Sequence, residues 1–209
     1  MKNSLLKKVS IIGSASSKGV KASENFLNQQ TWEKMCEITE NYILNNIDQN
    51  WSQIQLISGG AAWCDHIAVH LYLKHPETSL MLHFPCKWDT NNKNYVDNGK
   101  SHWAVNPGHL ANLYHESFQR KIGQNTLSQI QKAVDCGAQI HDNYKGFHDR
   151  NTIVGICDYL IAFTFSHNPQ PNGGGTADTW KKSSSTKKVH FCINNLESIS
   201  NHDVIGNLS

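Results

Sequence analysis

Long apolar runs, basic clusters and paired cysteines are all missing from this chain, and each absence removes a class of function. No hydrophobic stretch approaches the roughly 20 residues that span a bilayer. The opening Met1-Lys2-Asn3, through Leu5-Leu6 to Lys7-Lys8, lacks the form of a secretory leader. No membrane partner is therefore expected, and a cytoplasmic setting is. Basic residues never run beyond the pairs Lys7-Lys8, Lys181-Lys182 and Lys187-Lys188, and the formal net charge is only +2. That balance argues against nucleic acid as a dedicated partner. The six cysteines, Cys36, Cys64, Cys86, Cys136, Cys157 and Cys192, form no C-x-x-C pair and show no regular spacing. Buried free thiols in a reducing compartment are expected, not a disulfide framework. Neither G-x-G-x-x-G nor G-x-x-x-x-G-K-[ST] occurs, which excludes the ordinary dinucleotide fingerprint and the P-loop. His66 and His70 stand at i, i+4, but His66-Ile67-Ala68-Val69-His70 lacks the glutamate of H-E-x-x-H and no third ligand is set by spacing. No metal and no cofactor are expected.

What the chain does have is a repeated change from apolar strand to glycine loop. With 209 residues and 38% hydrophobic content, it has room for one α/β domain with a sizeable core. That domain is expected over 1–193, followed by a loosely ordered polar tail over 194–209. Asp158-Tyr159-Leu160-Ile161-Ala162-Phe163-Thr164-Phe165 is β-branched and aromatic, without charge after its first residue. This is the pattern of a parallel strand covered on both faces. Pro171-Asn172-Gly173-Gly174-Gly175-Thr176 follows it and leads into a helix from Thr176. Glycines at such a place let the backbone approach a ligand, and the unpaired N–H groups of a helix start attract an anion. A flexible surface turn is the plain alternative.

Lys8 to Ile12 predicts a first strand, running into Gly13-Ser14-Ala15-Ser16-Ser17. Helical spacing of Trp32, Met35, Cys36, Thr39, Tyr42, Ile43 and Ile47, with Thr31 as N-cap, predicts a helix that covers the sheet. Gln53 to Ile57 predicts a second strand, ending in Ser58-Gly59-Gly60-Ala61-Ala62, with a helix from about Trp63 to Leu73 behind it. Asp65 in its first turn either serves the helix dipole or stands near a ribose or glycosidic bond. Ser79 to Pro85 predicts a third strand. The long polar stretch 86–106, punctuated by Trp88, Tyr95 and Trp103, is read as an inserted loop, either a lid or a surface insertion whose aromatics pack locally. Leu110, Leu113, Tyr114 and Phe118 suggest a helix. Thr126-Leu127-Ser128-Gln129 has the form of a capping box opening another, which buries Ile130, Ala133 and Val134. Ala138 to His141 suggests a short strand. Gly146 to Thr152 reads as a loop, holding Arg150 and Asn151, that feeds a short helix over 153–157. Val189 to Ile193 reads as the last strand.

Three loops, at Gly13-Ser14, at Ser58-Gly59-Gly60 and at Gly173-Gly174-Gly175-Thr176, thus follow strands and precede helices. In an open parallel sheet they converge on the carboxyl edge, where ligands bind at the switch point. Arg150, beside His148, Asp149 and Asn151, is suited to pair with a phosphate. Gly174 and Gly175 are expected to need either close approach to that ligand or a positive φ.

Ser58-Gly59-Gly60-Ala61 with Asp65 behind it, Arg150-Asn151, and Gly174-Gly175-Thr176 with Thr179 after it resemble the SLOG superfamily, over roughly Lys8 to Ile193. Its members include Lonely Guy phosphoribohydrolases, molybdenum-cofactor carrier-like proteins, DNA-processing protein A and ligand-sensing domains of bacterial immune effectors. The resemblance implies a Rossmann-like parallel sheet with helices on both faces, whose glycine loops bind a nucleotide or nucleotide-derived phosphate. Lonely Guy proteins carry glutamates promptly after their glycine segment, whereas here Thr176 is followed by Ala177-Asp178-Thr179-Trp180. Asp178 is one methylene shorter than glutamate, and a misplacement of about 1 Å costs on the order of 10²-fold in rate. Binding is therefore expected before hydrolysis, with Arg150 on phosphate and Asp65 or Asn151 on ribose. The alternative is cleavage of an N-glycosidic bond with Asp178 or Asp65 assisting departure of the base. A third reading uses Trp88, Trp103 and the paired lysines on single-stranded nucleic acid, against which the weak charge argues. A homo-oligomer is left open.

Overall fold

The computed structural model describes residues 6–16 and 27–199. Ser17 of the first loop, the opening Met1-Lys2-Asn3 and the end of the tail from residue 200 lie outside the described residues. In chain order the elements are β1 (Lys7–Gly13), α1 (Gln29–Asn46), β2 (Ile54–Ser58), α2 (Ile67–Lys74), β3 (Ser79–His83), the short strands β4 (Trp88–Asp89) and β5 (Asn94–Tyr95), α3 (Pro107–Ile122), α4 (Thr126–Asp135), β6 (Gln139–His141), α5 (Phe147–Val154), β7 (Tyr159–Thr164), α6 (Gly174–Lys182) and β8 (Lys187–Cys192). Six strands form one parallel sheet in the order β6-β3-β2-β1-β7-β8. This is the expected Rossmann-like α/β fold with helices on both faces. The chain steps outward from β1 through β2, β3 and β6, then returns to lay β7 on the other side of β1. Strand order reverses between β1 and β7.

The period of two along β7 explains its unbroken apolarity. Tyr159, Ile161 and Phe163 enter a large core shared with α1 to α4. Leu160 and Ala162 face a smaller one with Ile12, Ile57, Val154 and Cys157, against which Trp180 of α6 packs. At the centre of the larger core, the Phe118 ring lies 5.0 Å from Trp32, 4.3 Å from Trp63 and 5.5 Å from His66, by ring centroids.

Helix starts depart from the sequence reading in consistent ways. Asn28, not Thr31, caps α1, its side-chain oxygen accepting from the Thr31 N–H. Asn125 caps α4 through the Ser128 N–H, so Thr126 lies inside the helix. In both cases an asparagine carboxamide, three residues before Thr31 and one before Thr126, takes the cap in place of the β-branched hydroxyl. Trp63–His66 is a 3-10 turn that leads into α2. α5 begins at Phe147, which puts Arg150 and Asn151 on a helix instead of on a feeding loop, and α6 begins at Gly174, two residues before Thr176. All six cysteines are free, but Cys136 is exposed and Cys86 and Cys192 are only partly buried. The tail does not loosen at Asn194: Ile193–Ser198 forms a 3-10 stretch that buries Ile193 and Leu196. Of the edge strands, β6 has only three residues, and β8 carries Lys187, Lys188 and His190. No helix among the described residues is long and apolar enough to cross a membrane.

Phe118 is fully buried, and truncating such a ring costs roughly 3–5 kcal/mol. Phe118→Ala is expected to lower the urea midpoint by that equivalent without changing the slope. A loss under about 1 kcal/mol would show that the larger core does not depend on this ring.

Candidate functional site

A cavity of about 1030 Å³ opens at the carboxyl edge of the sheet, lined by the loop after β1, the loop after β2 and the start of α6. It sits where strand order reverses, the place at which open α/β sheets take ligands. All the residues expected at the site line it except Ser58 and Asp178.

The geometry of the first two loops is set by a buried carboxylate. Asp65 is 4% exposed, with the backbone amides of Ala61, Gly13 and Gly59 placed to stabilise its charge and Arg150 Nη1 at 3.5 Å. Burial pushes its carboxyl above the ordinary range, while Arg150 and the three amides pull it down. The amides of these glycine loops are thus drawn toward the protein's own carboxylate, which pairs with Arg150 at the edge of the cavity. Ser58 works inside the same turn: its hydroxyl donates to the Asp65 carbonyl at 2.7 Å and accepts from the Gly60 N–H at 3.0 Å. The reversal requires left-handed backbone at Gly60 (φ +69°) and, more unusually, at Trp63 (φ 61°), whose burial against Phe118 holds it there. A Cβ on Gly59 would collide with the Arg150 guanidinium, so this glycine admits the cation to the sheet edge.

Arg150 is 6% exposed, and its Nε is buried with no hydrogen-bond partner. The guanidinium carbon lies 6.0 Å from the Phe147 ring centroid. Around it, α5 and α6 both begin at a glycine, Gly146 (φ +94°) and Gly173 (φ +82°), without a side-chain cap. The residues that open these helices, Phe147, His148, Gly174, Gly175 and Thr176, line the cavity. Unpaired N–H groups and the positive ends of two helices therefore meet beside a buried cation. The positive φ values fall on Gly173 and Gly174, not on Gly175, where a Cβ would meet only Asn151 Nδ2 at 3.5 Å. Asn151 Nδ2 donates to the Gly175 carbonyl at 3.3 Å and to Asp178 at 3.1 Å, and the Thr179 hydroxyl donates to the Gly175 carbonyl at 3.0 Å. Both side chains hold the start of α6 in place.

Asp178 lies outside the cavity, bonded to Lys182 at 2.9 Å and His148 at 3.3 Å as well as to Asn151. Burial raises its carboxyl, but the bonds from Lys182, Asn151 and His148 outweigh that and hold it below the usual range. An ionised, three-partner carboxylate outside the cavity lining is not placed to protonate a leaving base.

The 86–106 insertion is a wall, not a hinged cover. Trp88 and Tyr95 turn inward onto Phe84, with ring centroids 5.4 Å and 5.0 Å away. The Tyr95 hydroxyl and His115 Nε2 both donate to the Gly60 carbonyl, the histidine at 3.0 Å. A carbonyl only accepts, so the His115 proton sits on Nε2, and Nδ1 accepts from the Thr126 hydroxyl at 2.9 Å. Farther out, Asn106 Nδ2 donates to Asp97 at 2.6 Å and to the Lys100 carbonyl at 2.7 Å, cross-bracing the loop. Trp103 stands 44% exposed on the cavity, 6.3 Å from Phe147 and 6.1 Å from His148. With Tyr114 and Leu110 of α3 it makes an apolar side to the cavity. In the sequence Tyr114 and Leu110 mark a helix and nothing more. Only Trp103, an aromatic in a polar run, carried a signal of this surface.

Burial holds His115 at a pKa of about 4 and His66, bonded to Gln129 at 2.8 Å, at about 3. In the unfolded chain both titrate near 6.5, so below that pH the unfolded state binds protons that the native state refuses. Stability is full above about pH 7 and falls as pH drops from 6.5 toward 4, by up to about 1.4 kcal/mol per pH unit for each histidine. The urea midpoint is expected to fall between pH 7.5 and pH 5, and to fall less in His115→Gln. Equal midpoints in the wild type would refute the neutral buried pair.

No family model matches the sequence. The chain is 33% identical over 171 residues to the uncharacterized protein R261 of Acanthamoeba polyphaga mimivirus, an alignment that covers 80% of this chain and 86% of the viral one. Identity at that level over so much of both chains means a shared fold and ancestry, and the chain belongs to the same family as mimivirus R261.

Proposed function

We propose that this protein binds a nucleotide or nucleotide-derived ligand, with phosphate at Arg150 and the start of α6 and the nucleoside against Trp103 and Phe147. The observation that carries the reading is the buried guanidinium with its unpartnered Nε, placed beside two uncapped helix starts in a cavity of about 1030 Å³. A buried donor left unmet costs about 1–3 kcal/mol, and an anion relieves that cost while meeting the helix ends. The aromatic side supplies a stacking surface for a base. Membership of the SLOG superfamily, proposed from Gly174-Gly175-Thr176 and Arg150-Asn151, agrees with this reading. Free thiols throughout agree with a reducing, cytoplasmic setting. Binding is favoured over glycosidic cleavage because Asp178 and Asp65 are both engaged with protein partners.

Calorimetry against nucleoside phosphates, cyclic nucleotides and ADP-ribose derivatives is the direct test, and no heat from any of them would overturn the proposal. Arg150→Gln, read on protein whose urea midpoint shows it folded because the change also leaves Asp65 without its cation, is expected to weaken whichever phosphate ligand binds by about 10- to 100-fold, the worth of a charge-assisted hydrogen bond.

Gly175→Val separates ligand contact from folding, because its backbone is helical and a Cβ has room there. The variant is expected to stay within about 1 kcal/mol of wild-type stability and to lose affinity at least tenfold. Unchanged affinity in the folded variant would remove the start of α6 from the site.

A further inference from the structure

Resting on that reading, we propose that the preferred ligand is a phosphodiester with two organic arms: a nucleoside on the aromatic side and a second hydroxyl-rich group in the loop after β7. The strand order places the two arms. The loop after β2, the insertion and α3 lie on one side of the crevice between β1 and β7. Residues 165–172, which join β7 to α6, lie on the other, and Phe165, Ser166, His167, Asn168 and Asn172 line the same cavity. Arg150 and the start of α6 line the same cavity, so a phosphate held there shares that cavity with both sets of residues.

The second arm is polar and already shaped. The Ser166 N–H donates to the Thr164 hydroxyl at 3.1 Å, and the Asn168 N–H donates to the Ser166 hydroxyl at 3.2 Å. His190 bridges the base of the loop, with Nδ1 donating to the Asn168 carbonyl at 3.0 Å and Nε2 bonded to the Thr164 hydroxyl at 2.7 Å. The loop is thus fastened to β8 and presents exposed His167 and Asn168 side chains. Carboxamide and imidazole groups on a fixed backbone suit sugar hydroxyls, where the Trp103 side suits a flat base.

Charge and size agree with a diester. Among the described lining residues Arg150 is the one full cation and Asp65 the one carboxylate, and they offset each other in contact. The two helix starts then supply about half a charge each, part of which Asp149 in the first turn of α5 offsets, so the net positive charge is about +1 at most. A phosphodiester carries one negative charge, whereas a phosphomonoester carries about −1.5 to −2 at neutral pH. The cavity, about 1030 Å³, also lies at the top of the roughly 300–1,000 Å³ range that encloses drug-sized ligands, and a mononucleotide would occupy only one arm.

Calorimetry on the full chain with two matched series decides the matter: the four common nucleoside 5′-monophosphates, and the 3′,5′-linked dinucleoside monophosphates of the same bases. At least one dinucleoside monophosphate is expected to bind tenfold or more tightly than its monophosphate. His167→Ala together with Asn168→Ala, both at exposed positions, is expected to erase that advantage. If monophosphates bind as tightly as their dinucleoside partners, the two-armed ligand is wrong while nucleotide binding stands. An advantage that survives the double substitution places the second arm elsewhere and overturns its assignment to this loop. Silence from both series overturns this inference together with the nucleotide reading.

Discussion

A carboxylate removed from water must have its lone pairs met, and the way Asp65 meets that requirement organises the whole carboxyl edge of the sheet. Its donors come from the end of β1, from the loop after β2 and from α5, three places that the chain reaches far apart in sequence. Satisfying one buried group therefore draws the first two glycine loops together and pulls Arg150 down onto Gly59. The guanidinium is then trapped between its carboxylate and the cavity with a donor to spare. Ser58, Gly60 and the left-handed backbone of Trp63 serve the same turn. Removing either charge alone would strand the other in a buried site.

Support for this edge comes from the opposite direction as well. The Gly60 carbonyl accepts from Tyr95 of the insertion and from His115 of α3, so two segments distant from β2 decide where its loop sits. Long connections inside compact domains usually carry function, and this one holds the loop after β2 in place and offers Trp103 to the cavity.

The sheet and its order of strands were legible because the signals were local: apolar runs of strand length, each closed by small residues, with helical spacing between them. The convergence of the three glycine loops was legible too, since parallel strands put their ends on one edge. What could not be read was direction. Nothing in Asp65 or Arg150 as letters tells whether they face ligand or each other, because that depends on contacts between segments about 85 residues apart. Cap positions slipped because Asn28 and Asn125 cap the N–H groups of Thr31 and Ser128 and so start each helix ahead of the threonine. The positive φ fell on Gly173 and Gly174 instead of Gly175 because α6 begins two residues earlier than its first side chain suggested.

The two margins of the sheet bear on how copies of this chain can meet. An unpaired strand is a template for another chain, and long apolar margins invite it. Here β6 offers only three residues, and β8 presents Lys187 and Lys188, which a second copy would have to bring against lysines of its own. Stacking sheet to sheet is thereby discouraged at either margin. Among the described residues, exposed apolar side chains gather on the outer surface of the insertion and α3, where Val96, Trp103, Val105 and Leu113 are each 43–51% exposed, while Ile156 and Leu6 stand apart from them. An assembly built there would close over the mouth of the cavity, so that crowding of the molecules and access to the site would oppose one another.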